Sequence, residues 1–126
     1  MSAVALDSSS FIGHLNGRHG DDTLAVKAAL DAGTAVLPPL VVTEVLSLPG
    51  VSAEVLHLVG IVPQLELLPE YWERAGRLRA GVVASGRRAR TADVLIAQSC
   101  IDHDIPLITA DTDFRHFVRH GLRLAL

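Results

Sequence analysis

The stretch "IPLITADTDF", residues 105–114, decides how the rest of the chain is read. Pro106 to Thr109 is a short apolar run of strand length, and it is followed at once by two acids, Asp111 and Asp113. "VALDSSS", residues 4–10, repeats the form: Asp7 closes the apolar run Ala3 to Leu6. Three further short runs, Ala35 to Leu37, Gln64 to Leu67 and Leu122 to Leu124, read as strands, and helical patterns lie between them. "DDTLAVKAALDAG" opens on acids that suit a helix N-terminus and closes on Gly33. "PEYWERAGRLRAGVVASG" runs from Pro69 to Gly86, and "TADVLIAQSCIDHD" offers Thr91 as an N-cap with Asp93 in its first turn. Short strands alternating with helices predict an α/β fold, a three-layer α/β/α sandwich with a short parallel sheet. In such sheets ligands bind beyond the carboxyl ends of the strands, where Asp7 and Asp111 stand.

Composition narrows the class. A chain of 126 residues with 49% hydrophobic and 20% charged residues is read as one globular domain, 1–126, with a real core. A net charge of −3 argues against binding nucleic acid by overall charge, though not against a local basic patch. One cysteine, Cys100, makes no disulfide framework, and there is no signal peptide pattern or membrane-length apolar run. A cytoplasmic protein without membrane attachment is expected.

Two more acids sit where a helix asks for apolar residues. In "LVVTEVLSL" the stripe Val41, Glu44, Val45, Leu48 follows helical spacing, so Glu44 points with the core-facing side chains. Asp93 leads a similar stripe through Ile96, Ala97, Cys100 and Ile101. Each acid alone has a structural explanation: Asp7 as a cap for a helix starting at Ser8 to Ser10, Asp93 as a first-turn acid, Asp111 or Asp113 as a turn or cap residue. Glu44 has the weakest such excuse. Burying several carboxylates together raises their pKa values, and apart from Arg90 and Arg115 no cation flanks them in sequence. A divalent cation would resolve the repulsion, and oxygen ligands favour Mg²⁺ or Mn²⁺ over zinc.

These motifs, in this order, resemble the PIN domains, in particular the small VapC-like toxin ribonucleases. "VALDSSSFIG" is similar to the first motif, "LVVTEVLSL" to the second, and "RTADVLIAQSCIDHDIPLITADTDFRHF" to the stretch that joins the third acid to the last. The resemblance implies Mg²⁺- or Mn²⁺-dependent hydrolysis of RNA leaving 5′-phosphates, a protein antitoxin as partner, and a homodimer. It implies Asp7, Glu44, Asp93 and Asp111 as the catalytic and metal-binding acids. Asp113 is either a further ligand acting through water or a helix cap. Ser9 and Thr109 are candidates for orienting carboxylates or a metal-bound water.

A carboxylate cage repels RNA, so phosphate must be held elsewhere. Six arginines and no acid lie between Arg74 and Ala92. Arg87, Arg88 and Arg90 precede Asp93 directly and are the candidate RNA contacts, against a solvated loop as the plain alternative. Arg74, Arg77 and Arg79 read more readily as a solvated helix face. Asp102 and Asp104 read as a solvated turn, His116 and His120 as surface residues, and Cys100 as inert packing. Two other functions compete: a non-catalytic PIN-like module binding RNA or protein, and a phosphatase of another α/β fold with Asp7 as nucleophile. The second lacks the additional aspartate and lysine that such a site requires.

Overall fold

A computed structural model of the chain describes residues 2–126. Strand β1 (Val4–Leu6) leads through helices α1 (Ser8–Leu15) and α2 (Asp21–Ala32) to β2 (Ala35–Val36). Then come α3 (Pro39–Leu46), α4 (Ala53–Ile61), α5 (Tyr71–Ala84), α6 (Thr91–His103), β3 (Leu107–Ile108) and a 3-10 helical segment, Thr112–His120. The sheet is parallel, in the order β2-β1-β3, with Ala5 opposite both Val36 and Leu107. The two outer strands expected from the sequence shrink to single parallel bridges, Leu37 with Gln64 and Leu107 with Leu124. Pro63 has no N–H to extend the first of these, and Gln64 and Glu66 are exposed.

With these bridges as edges, the chain steps outward from β1 to β2 to Gln64, then crosses back to β3 and on to Leu124. Right-handed crossovers place the helices of the outward steps on one face and those of the return on the other. The packing agrees: α1 lies against α2 and α3, while α5, α6 and the 3-10 segment pack on one another. Between the layers Ala5 and Leu6 are wholly buried, joined by Phe11, Leu37, Val41, Ile96, Leu107, Phe114 and Phe117. The three-layer sandwich is therefore as expected. Helices α3 and α6 also pack against each other, which brings two helices of opposite layers together.

Local chemistry sets the boundaries. Helix α2 ends at Gly33, whose φ of 71° is the left-handed conformation that suits glycine. Helix α3 begins on Pro39, where a missing N–H costs nothing. The N-cap of α6 is Arg90, so Thr91 is its first helical residue and not the cap. Helix α4, unforeseen in the sequence reading, is capped by Ser52, whose hydroxyl accepts from the Val55 amide. Asp102 does not lie in a solvated turn. Its side chain is 6% exposed, takes an ion pair from Arg74 and a hydrogen bond from Gln98, and so ties α5 to α6. No helix among the described residues is long and apolar enough to cross a membrane.

Candidate active site

The sheet order reverses direction at β1, so the carboxyl ends of β1 and β3 open a crevice between the two helical layers. Asp7 leaves β1 into that crevice and Asp111 follows β3. Glu44 reaches it from α3 and Asp93 from the first turn of α6. The backbone of Asp7 occupies the N-cap position of α1, but its side chain makes no capping bond, so capping does not account for it. Instead its Oδ2 accepts from Ser9 Oγ at 2.9 Å and from Thr109 Oγ1 at 2.7 Å. Thr109 Oγ1 in turn accepts the Asp111 amide at 3.0 Å, which obliges the threonine proton to point at Asp7. Both hydroxyls named from the sequence, Ser9 and Thr109, thus orient the Asp7 carboxylate.

Three consecutive serines serve three different carboxylates. Ser8 Oγ donates to Glu44 Oε1 at 2.5 Å, Ser9 to Asp7, and Ser10 Oγ to Asp22 Oδ2 at 2.7 Å. Successive helical residues diverge by about 100°, so one turn of α1 addresses the crevice and the α1–α2 interface together. The Ser8–Glu44 pair spans 36 positions and had no signal in the sequence.

Burial and charge repulsion act together on the cluster. Burial pushes the Asp93 carboxyl up to about 6, and the negative charges of Asp111, Asp7 and, least, Glu44 add to the shift against an opposing effect of Arg90. Asp7, only 4% exposed, is also raised, chiefly by burial, with the Thr109 and Ser9 hydroxyls opposing and Asp111 adding to the rise. The other three acids read from the sequence are thus within electrostatic reach of Asp93, and among the described residues no ion pair offsets them. Cys100 lies buried behind them with its thiol pushed up to about 12 by burial, with a further rise from Asp7, and is inert packing.

An all-oxygen donor set in which Asp7 and Asp93 are raised by burial and by neighbouring carboxylates suits Mg²⁺ or Mn²⁺. Among the described residues, no three His, Cys, Asp or Glu side chains converge tightly enough to make a ready-formed cage. The reason is local: Glu44 is drawn to Ser8, and Asp111 accepts the Asp113 amide at 2.9 Å as the cap of the 3-10 segment. The fit is therefore one of donor chemistry and placement, and closing the set takes side-chain rotation.

The remaining candidates separate. Asp111, not Asp113, is the cap of the 3-10 segment. Asp113 instead lines a neighbouring cleft of about 430 Å³ with Arg87, Arg115, His116 and Arg119. Arg90 acts on Asp93, and the Arg88 carbonyl accepts from His116 Nδ1 at 3.0 Å. Arg74 is committed to Asp102, and Arg79 donates to the Ala89 carbonyl. Arg115 and Arg119, on the 3-10 segment, were not singled out as phosphate contacts by sequence; their i, i+4 spacing in "RHFVR" was the available signal.

Comparison with known proteins bears on the family and the fold. The family model of the PIN domain matches residues 4–119. A ribonuclease of Mycobacterium tuberculosis, VapC5, is 30% identical over 116 residues, covering 90% of this chain and 86% of that protein. Among solved structures, VapBC2 from Rickettsia felis bound to a promoter DNA fragment has a chain that superposes with a TM-score of 0.71 at 18% identity, covering 97% of this chain and 96% of that one. VapBC-5 from M. tuberculosis, described as a toxin–antitoxin system, gives 0.67 at 21% identity, covering 98% and 100%.

Proposed function

The chain belongs to the PIN-domain family, and on that premise we propose that it is a Mg²⁺- or Mn²⁺-dependent endoribonuclease, the toxin of a toxin–antitoxin pair. The observation that carries this reading is the cluster of Asp7, Glu44, Asp93 and Asp111 at the crevice, where burial, with repulsion from the other three acids added, raises the Asp93 pKa to about 6 and, among the described residues, no ion pair offsets it. These four residues would hold the cation. When bound, such a cation supplies an activated water and stabilises charge on the phosphoryl oxygens. Ser9 and Thr109 fix the Asp7 carboxylate in one orientation, and Ser8 does the same for Glu44. Asp93 is the acid on which the other three carboxylates act at once.

The toxin role and the antitoxin partner are supported by the ribonuclease relative and by the likeness to VapBC assemblies. A homodimer is proposed on family membership alone. The test is cleavage of single-stranded RNA by the wild type and Asp93→Asn, each with Mn²⁺ and with a chelator. The expected result is cleavage only by the wild type and only with metal. Metal-dependent cleavage retained by Asp93→Asn would remove the cluster from the chemistry. Binding of RNA without cleavage by the wild type would favour a non-catalytic binding module.

A further inference from the structure

The cleft beside the acidic cluster is walled by Arg87 from the α5–α6 connection and by Arg115, His116 and Arg119 from the 3-10 segment, with Thr112 and Asp113 at its edge. Its arginines differ from most others that the fold has placed. Arg18, Arg74 and Arg123 are each paired with an aspartate, and Arg79 is spent on a backbone carbonyl. Among the described residues, Arg87, Arg115 and Arg119 make neither an ion pair nor a side-chain hydrogen bond, although the chain carries more acids than bases. Three free guanidiniums facing one hollow repel each other, and a single carboxylate, Asp113, does not neutralise them. The hollow is built for an anion with several oxygens, which a guanidinium binds through its two-pronged face.

The position of the cleft says which anion. Asp111 belongs to the acidic cluster, and Thr112 and Asp113, the next two residues, already line the cleft. A ligand reaching the carboxylates from this side passes the arginines. We infer that Arg87, Arg115 and Arg119 form a phosphate subsite for the RNA strand, holding a backbone phosphate next to the one that is cleaved. This rests on the nuclease reading for the identity of the ligand, while the subsite itself is tested without cleavage. It also shifts the phosphate contacts from the loop run Arg87, Arg88, Arg90 towards the 3-10 segment.

The experiment is binding of a fluorescein-labelled single-stranded RNA of mixed sequence in EDTA, by anisotropy, across a salt series. Each phosphate contact on a single strand contributes about 0.7 to the slope of log affinity against log salt. Arg115→Gln/Arg119→Gln is expected to flatten the slope by about 1.4, two such contacts. Arg115→Lys/Arg119→Lys, which keeps the charge, should retain the wild-type slope. Arg77→Gln, an exposed arginine that does not line the cleft, should also retain it. Equal melting temperatures would exclude a folding defect as the cause of any change. A wild-type slope in the double glutamine variant overturns the subsite, as does an equal loss in Arg77→Gln. A flattened slope in a protein that never cleaves RNA overturns the nuclease reading and leaves the subsite standing.

Discussion

Two carboxylate settings are served by consecutive serines of α1, Ser8 and Ser9 on one side and Ser10 on the other, and they are opposites. At the α1–α2 interface Asp22 is 3% exposed, accepts from Ser10, and is gripped by both guanidinium nitrogens of Arg18 at 3.2 and 2.6 Å. Arg18 holds its carboxyl below the usual range despite burial. In the crevice Asp7 is as deeply buried and also accepts from hydroxyls, yet its pKa and that of Asp93 are raised. Burial is common to both; the counter-charge is not. A carboxylate with its own arginine is finished by folding. A group of carboxylates with no ion-pair partner among the described residues is left with charge that a cation can neutralise.

That contrast can be broken from either side. Asp7→Asn preserves shape but removes a charge from the crevice. RNA cleavage in Mn²⁺ should fall by more than about 100-fold, beyond the roughly 10- to 100-fold typical of losing an outer-shell partner. An activity within a few-fold of wild type would place Asp7 with the structural acids. Asp22→Ala is the reciprocal change. It orphans the wholly buried Ser10 hydroxyl and should cost about 1–3 kcal/mol in urea unfolding. Cleavage per folded molecule should be unaltered, and a selective loss of turnover would erase the distinction between the two settings.

Thr109→Val sharpens the comparison, because it removes a hydroxyl that positions Asp7 and accepts the Asp111 amide without itself being one of the acids. Cleavage should fall by about 10- to 100-fold, with part of the loss recovered at higher Mn²⁺. The smallest effect is on stability. Because the folded-state pKa of Asp93 lies above its unfolded value of 3.8, its ionisation opposes folding. Stability from this group is fully present below about pH 4 and declines until the folded pKa of about 6 is passed. Metal-free Asp93→Asn should therefore be more stable than wild type at pH 7–8, by about 1 kcal/mol after discounting for its half-exposed setting. The gap should close towards pH 4. For Asp22 the sign reverses: its contribution is present above pH 3.8 and is lost only as pH falls through its lowered folded value.

The sequence carried the architecture and the acids because both are written locally. Apolar runs followed by Asp7 and Asp111, and acids on the stripes of α3 and α6, need no long-range information. What escaped depends on distant partners. Asp22 read as one of two N-terminal helix acids, and nothing near it in sequence announces Ser10 as a buried donor. Asp102 read as a solvated turn residue because Arg74, 28 positions away, is invisible to local patterning. The outer strands were read at full length because apolar runs do not reveal that each finds only one bridge partner. Local patterning also left open whether Asp113 caps the 3-10 segment; the bond from the Asp113 amide makes Asp111 the cap.

The most direct test of a cation site is Mn²⁺ titration followed by thermal unfolding, for the wild type and Asp7→Asn/Asp93→Asn. Binding to the folded state alone raises stability by RT ln(1 + [L]/Kd), about 2.7 kcal/mol at a hundredfold excess over Kd. The prediction is a crossover: without metal the double variant melts higher, and with millimolar Mn²⁺ only the wild type gains. An equal gain in both proteins, or none in either, would contradict a cation site formed by these acids.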